Sequence, residues 1–247
     1  MRYKKVLIIV FSPVFLYFFL HSLFSINKLN AQTTSKTDRE ENETRALCVL
    51  GQKVKGFPFY VYKDAESGEN NFFPTGAMGD SGSFKVNPYC REAVYKGKSC
   101  IKVTYNLDVN RTYGWVGLYW QYPPNNWANI PKAYDLTGAT KLTFWARGER
   151  GGEVISKFQF GGITGQYRDS GVASIGPVVL SKKWRKYTID LRKIDNPIIV
   201  GYEDKQCWPF MHPLTRVIGG FCWATNLKAN DDKGIIFYLD EIRFENQ

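Results

Sequence analysis

The stretch Lys141-Leu-Thr-Phe-Trp-Ala-Arg147 decides the fold class. On an extended chain Leu142, Phe144 and Ala146 share one face and Thr143, Trp145 and Arg147 the other, the two-residue period of a half-buried strand. The same alternation recurs to either side. In Trp115–Gln121, Val116, Leu118 and Trp120 oppose Trp115, Gly117, Tyr119 and Gln121, and in Val154–Phe160, Phe158 and Phe160 point inward while Lys157 and Gln159 point out. From Phe57 onward helical periodicity is almost absent. Short runs of Val, Ile, Thr, Tyr, Phe and Trp are punctuated by Gly, Pro, Asn and Asp, which predicts an all-β sandwich or jelly roll. The candidate strands are Phe59–Tyr62, Ser83–Val86, Ser99–Asn106, Trp115–Tyr122, Lys141–Arg147, Val154–Phe160, Val178–Leu180, Arg185–Leu191, Ile218–Thr225 and Ile235–Glu245. They make about ten strands in two packed antiparallel sheets.

The rest of the chain bounds the function. It has 247 residues, a formal charge of +10 and 2 histidines. Four bases, Arg2, Lys4, Lys5 and Lys28, lie in the first 31 residues, and without them the charge is about +6. The remaining Lys and Arg are interspersed with acids, with no dense basic stretch to track phosphates, so nucleic acid is not an expected partner. His21 and the solitary His212 exclude a multi-histidine zinc site and leave little for a Ser-His-Asp apparatus.

The N-terminus reads as an export signal: a basic Met1–Lys5 followed by an apolar run, Val6 to Phe24. At about nineteen residues the run approaches the length of a membrane anchor, so cleavage near Ala31 and retention both stay open. Residues 1–31 are thus the signal peptide or anchor, 32–47 a polar linker too poor in apolar side chains to fold, and 48–247 the folded domain. The expected location is secreted, periplasmic or cell-surface, touching membrane only through the N-terminal segment.

Export permits disulfides. Cys90 and Cys100 flank the segment REAVYKGKS and are the expected pair, with Cys207 and Cys222 next and Cys48 left over. This pairing rests on proximity, and buried thiols are the alternative.

The blocks YDLTGATKLTFWARGERGGEVISKFQFGGITG (Tyr134–Gly165), WRKYTIDL (Trp184–Leu191), VIGGFCWAT (Val217–Thr225) and IIFYLDEIRFE (Ile235–Glu245) resemble the galactose-binding-domain-like jelly rolls. That superfamily includes many non-catalytic carbohydrate-binding modules of secreted bacterial proteins. NNFFPTGAMGD (Asn70–Asp80) and GWVGLYWQYPPNNW (Gly114–Trp127) are similar to the same group, and the likeness spans roughly residues 57 to 247. The resemblance implies a polysaccharide or oligosaccharide ligand. It also implies a structural calcium ion where the first and last strands meet, at Asp64 or Glu66, Asp240 and Asp80. For Asp240, an acid inside an apolar strand, a salt bridge to Lys or Arg is the alternative partner.

Sugar rings present flat C–H faces to aromatic side chains and hydroxyls to amides and guanidinium groups. Trp115, Tyr119, Gln121, Trp145, Arg147 and Gln159 are expected to form a groove on one sheet face, with Asn126 and Trp127 at its rim. Core packing is the competing use of each ring. The apolar loop Cys207–Pro213 is expected to fold over an open end of the sandwich.

Catalysis is not expected. Glu149, Glu153, Asp169 and Asp190 are the acids a glycoside hydrolase would need to oppose across a cleft, and spacing does not pair them. The leading expectation is an exported non-catalytic carbohydrate-binding module. A cell-envelope structural or adhesion protein using the same face on a protein partner is the first alternative, and a glycan-active hydrolase the second.

Overall fold

Alternating strands with one apolar face must bury that face against a second sheet, and the computed structural model has this arrangement. It describes Arg39, Cys48, 50–106, 112–194, Cys207 and 212–247. The leader, all of the linker but Arg39, and Trp208 to Met211 of the apolar loop lie outside the described residues. The chain divides into two units, Met1–Cys48 and Val49–Gln247, and the strands belong to the second. No helix of the described residues is long and apolar enough to cross a membrane.

The first strands are β1 (Gln52–Lys53), β2 (Phe59–Tyr62), β3 (Phe73–Gly79), β4 (Phe84–Cys90) and β5 (Cys100–Tyr105). Next come β6 (Trp115–Gln121), β7 (Tyr134–Asp135), β8 (Lys141–Gly148), β9 (Val154–Ile155) and β10 (Lys157–Gly161). Then follow β11 (Val172–Ile175), β12 (Val178–Val179), β13 (Arg185–Asp190), β14 (Gly219–Asn226) and β15 (Ile235–Glu245). A five-stranded antiparallel sheet has the order β11-β10-β14-β6-β3. A six-stranded antiparallel sheet has the order β13-β8-β15-β5-β4, with β2 also pairing to β15. Two short pairs, β1 with β7 and β12 with β9, complete the set.

The inward residues of the two sheets meet as the alternation requires. Phe144 of β8 packs on Phe158 of β10 and Phe221 of β14, with ring centroids 4.7 and 5.0 Å away. Trp223 of β14 meets Phe237 of β15 edge-on at 5.1 Å. All five rings are buried to 0% exposure, and each contributes about 2 kcal/mol by leaving water.

The structure departs from the sequence reading in its strands and its cysteines: β1, β7 and β11 are not among the candidate strands. β3 is also absent from the candidate strands, because Pro74, Gly76 and Gly79 interrupt the alternation of Phe73–Gly79. It is an edge strand, where a proline is tolerated. Val154–Phe160 is two strands, β9 and β10, that break at Ser156 and pair with different partners. The cysteine pairing also differs. Cys90, Cys100 and Cys222 are buried free thiols, while Cys48 and Cys207 are disulfide-bonded. Cys90 and Cys100 do stand opposite each other in the β4–β5 ladder. Cys222 instead lies in β14 opposite Tyr119, and burial pushes its thiol up to about 12.

Candidate functional site

β6 is the strand next to the free edge of the five-stranded sheet, and its outward residues begin with Trp115 and continue to Tyr119 and Gln121. Tyr119 sits between two glycines on the flanking strands. A Cβ at Gly76 would stand 2.7 Å from the Tyr119 Cβ, and one at Gly219 would stand 3.0 Å from its ring. Glycine at both positions leaves the ring room to sink into the sheet. Its hydroxyl donates to the Gly161 carbonyl at 3.0 Å and accepts from Gln159 Nε2.

Two loops then fold over this outer surface. The first, residues 122–133, is organised by Asn126. Its Nδ2 donates to the carbonyls of Tyr122, Ile130 and Lys132 at 3.2, 3.2 and 3.0 Å, and its Oδ1 accepts the Ile130 N–H at 3.2 Å. Gln121 ties this loop to the sheet: Nε2 donates to the Asn126 carbonyl at 2.9 Å, and Oε1 accepts from the Thr75 hydroxyl at 2.9 Å. The second loop, residues 162–171, is held by Asp169, which accepts N–H bonds from Ile163, Ile218 and Gly219. Burial raises the Asp169 carboxyl to about 6, against the pull of those three donors. Tyr167 N–H donates to the Ala128 carbonyl at 2.8 Å and joins the two loops. Beneath them Tyr119, Ala128, Ile163, Ile218 and Cys222 form a small apolar cluster of their own, with Met78 packed against it.

What remains in solvent is a row of rings. Trp127 is 42% exposed and stands over Tyr119, while Trp115 is 38% and Phe73 43% exposed. The β3–β6 register sets Phe73 opposite Gln121, and thus on the same face. Trp115 is positioned from behind by Asp80, whose carboxylate accepts the N–H groups of Thr112, Tyr113 and Gly114 at 2.8–2.9 Å. Trp115 and Tyr119 are four residues apart on one strand, so their backbone positions lie about 13 Å apart along the sheet. Lys157 and Gln166 are exposed polar residues of β10 and the second loop.

The expected groove therefore survives only in part. Tyr119, Gln121, Asn126 and Gln159 are buried, and their polar atoms are spent on internal hydrogen bonds that shape the face instead of lining it. Trp145 and Arg147 are on the other sheet. The Tyr95 ring stacks on Trp145 at 3.8 Å and 19°, and Arg147 lies over Tyr238 at 5.1 Å with Glu149 beside it at 3.8 Å. Alternation places both residues outward correctly but cannot say from which sheet. Phe73 and Met78 escape the sequence reading because Pro74, Gly76 and Gly79 hide the period of β3.

The acids expected at a calcium site are dispersed. Asp64 accepts the N–H groups of Lys98 and Ser99, Asp80 those of residues 112–114, and Asp240 those of Tyr95, Lys96 and Glu241. Glu66 lines a cavity with Asp64. Among the described residues no three His, Cys, Asp or Glu side chains converge on a metal position. The four acids weighed for hydrolysis also have local partners. Glu149 accepts from the Tyr238 hydroxyl, Glu153 from the Arg150 N–H, Asp169 as above, and Asp190 from Arg192.

With this geometry in place, comparison with known proteins defines the class of fold. No family model matches the chain, and no curated protein does. Among solved structures it is similar to a family 30 carbohydrate-binding module at a TM-score of 0.51 and 13% identity, over 76% of this chain and 97% of that one. A second structure of a family 30 module gives 0.48 and 14%, over 83% and 90%. The family 11 module of a cellulosomal cellulase of Clostridium thermocellum gives 0.44 and 15%, over 74% and 91%. The chain has the jelly-roll β-sandwich that carbohydrate-binding modules have. At these identities the likeness is one of fold.

Proposed function

We propose that this chain is an exported, non-catalytic carbohydrate-binding protein that holds an extended glycan across the outer face of its five-stranded sheet. The observation that carries the reading is the row Trp127, Trp115 and Phe73, exposed rings on a surface whose buried amides, Gln121, Asn126 and Gln159, hold it in shape. Rings fixed before binding lose little freedom when a sugar covers them. The spread of the face from Trp115 to Tyr119, against which Trp127 stands, favours a chain of several sugars over a single ring. The neighbours in fold are carbohydrate-binding modules, which supports the same ligand class.

A non-catalytic role accords with the acids, since each carboxylate weighed for hydrolysis has a structural partner on at least one oxygen, Glu153 Oε2 alone among them being buried without one. Export accords with the basic and apolar N-terminus and with the disulfide-bonded Cys48 and Cys207, which call for an oxidising compartment. A glycan array probed with the full chain tests the reading. Retention of one or more polysaccharides without release of reducing ends is the expected result. Absence of binding across the array, or turnover of a bound glycan, overturns it.

A further inference from the structure

A cavity of about 300 Å3 opens at the six-stranded sheet, where the turn after β2 meets the loop between β4 and β5. Its floor is rigid. Asp64 Oδ1 accepts the N–H groups of Lys98 and Ser99 at 2.7 and 2.9 Å, and Ser99 Oγ accepts the Ala65 N–H at 2.9 Å while lying 3.1 Å from the Tyr62 hydroxyl. Gly97 makes that turn possible. It has φ +78°, and a Cβ there would stand 2.3 Å from Asp64 Oδ2.

The rim is the opposite of the floor. Glu66, Arg91 and Lys98 line one cavity with opposite charges, yet their side chains form no hydrogen bond or ion pair with any described residue. Tyr89 adds a ring that is 56% exposed. Asp64 Oδ1 is engaged by backbone donors while its Oδ2 accepts none of them, so the groups left to meet an occupant are a guanidinium, an ammonium, the Glu66 carboxylate with one Asp64 oxygen, and an aromatic face.

That set fits a sugar that itself carries a carboxylate. A guanidinium fork takes a carboxylate through two parallel bonds, and an ammonium adds a point charge. A free carboxylate accepts from hydroxyls, and a tyrosine face covers the apolar side of the ring. We infer that this cavity binds a uronic acid residue, with Arg91 and Lys98 on its carboxylate, Glu66 on its hydroxyls and Tyr89 against its ring. The site shares no residue with the Trp115–Trp127 face and stands or falls separately from it.

Titration calorimetry of the full chain tests the assignment with D-galacturonate and D-glucuronate as probes, and D-galactose and the methyl ester of galacturonate as controls. At least one uronate is expected to bind, the ester and the neutral sugar at least about tenfold more weakly, and added salt to weaken the uronate. Arg91→Ala and Tyr89→Ala, both at exposed positions, are each expected to lose about tenfold or more in affinity with an unchanged melting temperature. Trp127→Ala is expected to keep uronate affinity whatever it does to polysaccharide. No uronate binding at millimolar concentration, equal binding of ester and acid, or full affinity in Arg91→Ala overturns the assignment.

Discussion

The indole of Trp127 stands edge-on to the phenol ring of Tyr119, with 6.2 Å between centroids and 85° between planes. One ring is exposed and the other buried, so the pair divides the work: Tyr119 anchors the loop and Trp127 faces the solvent. Trp127→Ala is therefore expected to abolish retention in affinity electrophoresis while lowering unfolding free energy by no more than about 1 kcal/mol. A chemical melt checks the second half. A loss of several kcal/mol would make Trp127 a packing residue and remove it from the proposed face.

Trp145 makes the opposite prediction. Its indole is covered by Tyr95 on the six-stranded sheet, so Trp145→Ala is expected to cost about 2 kcal/mol and leave glycan retention unchanged. Loss of binding in a stably folded Trp145→Ala chain would move the ligand to the six-stranded sheet and leave the Trp115–Trp127 face without a role.

Asn126 governs the loop without touching the surface. Removing its carboxamide in Asn126→Ala strands three carbonyls and one N–H, an expected cost of about 3 kcal/mol. Weaker glycan binding should accompany it as Trp127 loses its seat. Asn126→Asp is expected to be at least as damaging, because a carboxylate would face three carbonyl oxygens. Equal stability of Asn126→Asp and wild type would mean that these carbonyls do not depend on an N–H donor from residue 126.

Asp169 gives a pH signature with a fixed sign. A carboxyl raised in the fold from 3.8 to about 6 contributes its full stability below 3.8 and gives it up as pH rises through about 6. Asp169→Asn can keep an oxygen for the Ile218 and Gly219 N–H groups, loses the acceptor for Ile163 by an amount that does not vary with pH, and cannot ionise. The stability difference, wild type minus Asp169→Asn, should fall between pH 4 and 6 and stay level above that. Asp240, raised to about 7, titrates in both chains and cancels from the difference. A flat difference, or one that rises with pH, would mean that the three N–H donors outweigh burial.

Much of the fold is legible because alternation is a local property. Phe59–Tyr62 and Ile235–Glu245 coincide with β2 and β15, and Lys141–Arg147 stops one residue short of β8. The face of each outward residue is legible for the same reason, but its sheet is not. That depends on which strands pair, and β8 comes to lie between β13 and β15 only through long-range contacts. For the site, exposed and buried polar residues look alike in sequence. Trp127 and Trp115 read as surface rings and are, whereas Gln121, Asn126 and Gln159 read the same way and are buried because two loops close over them. A clue to that burial is the pair of turn-rich segments 122–133 and 162–171 that flank the strands.

β15 is paired along one edge first by β5, up to Leu239, and then by β2, from Ile242. At the junction Asp240 turns its carboxylate to the backbone N–H groups of Tyr95 and Lys96, so that one side chain fills the gap where two shorter strands meet end to end. The loop between β4 and β5 is thereby clipped to the middle of the sheet by a side-chain carboxylate instead of a row of ladder bonds, as Asp64 clips its far end through the N–H groups of Lys98 and Ser99. Its other residues owe nothing to the ladder, which makes this seam a natural place for the molecule to acquire new surface without reopening its core.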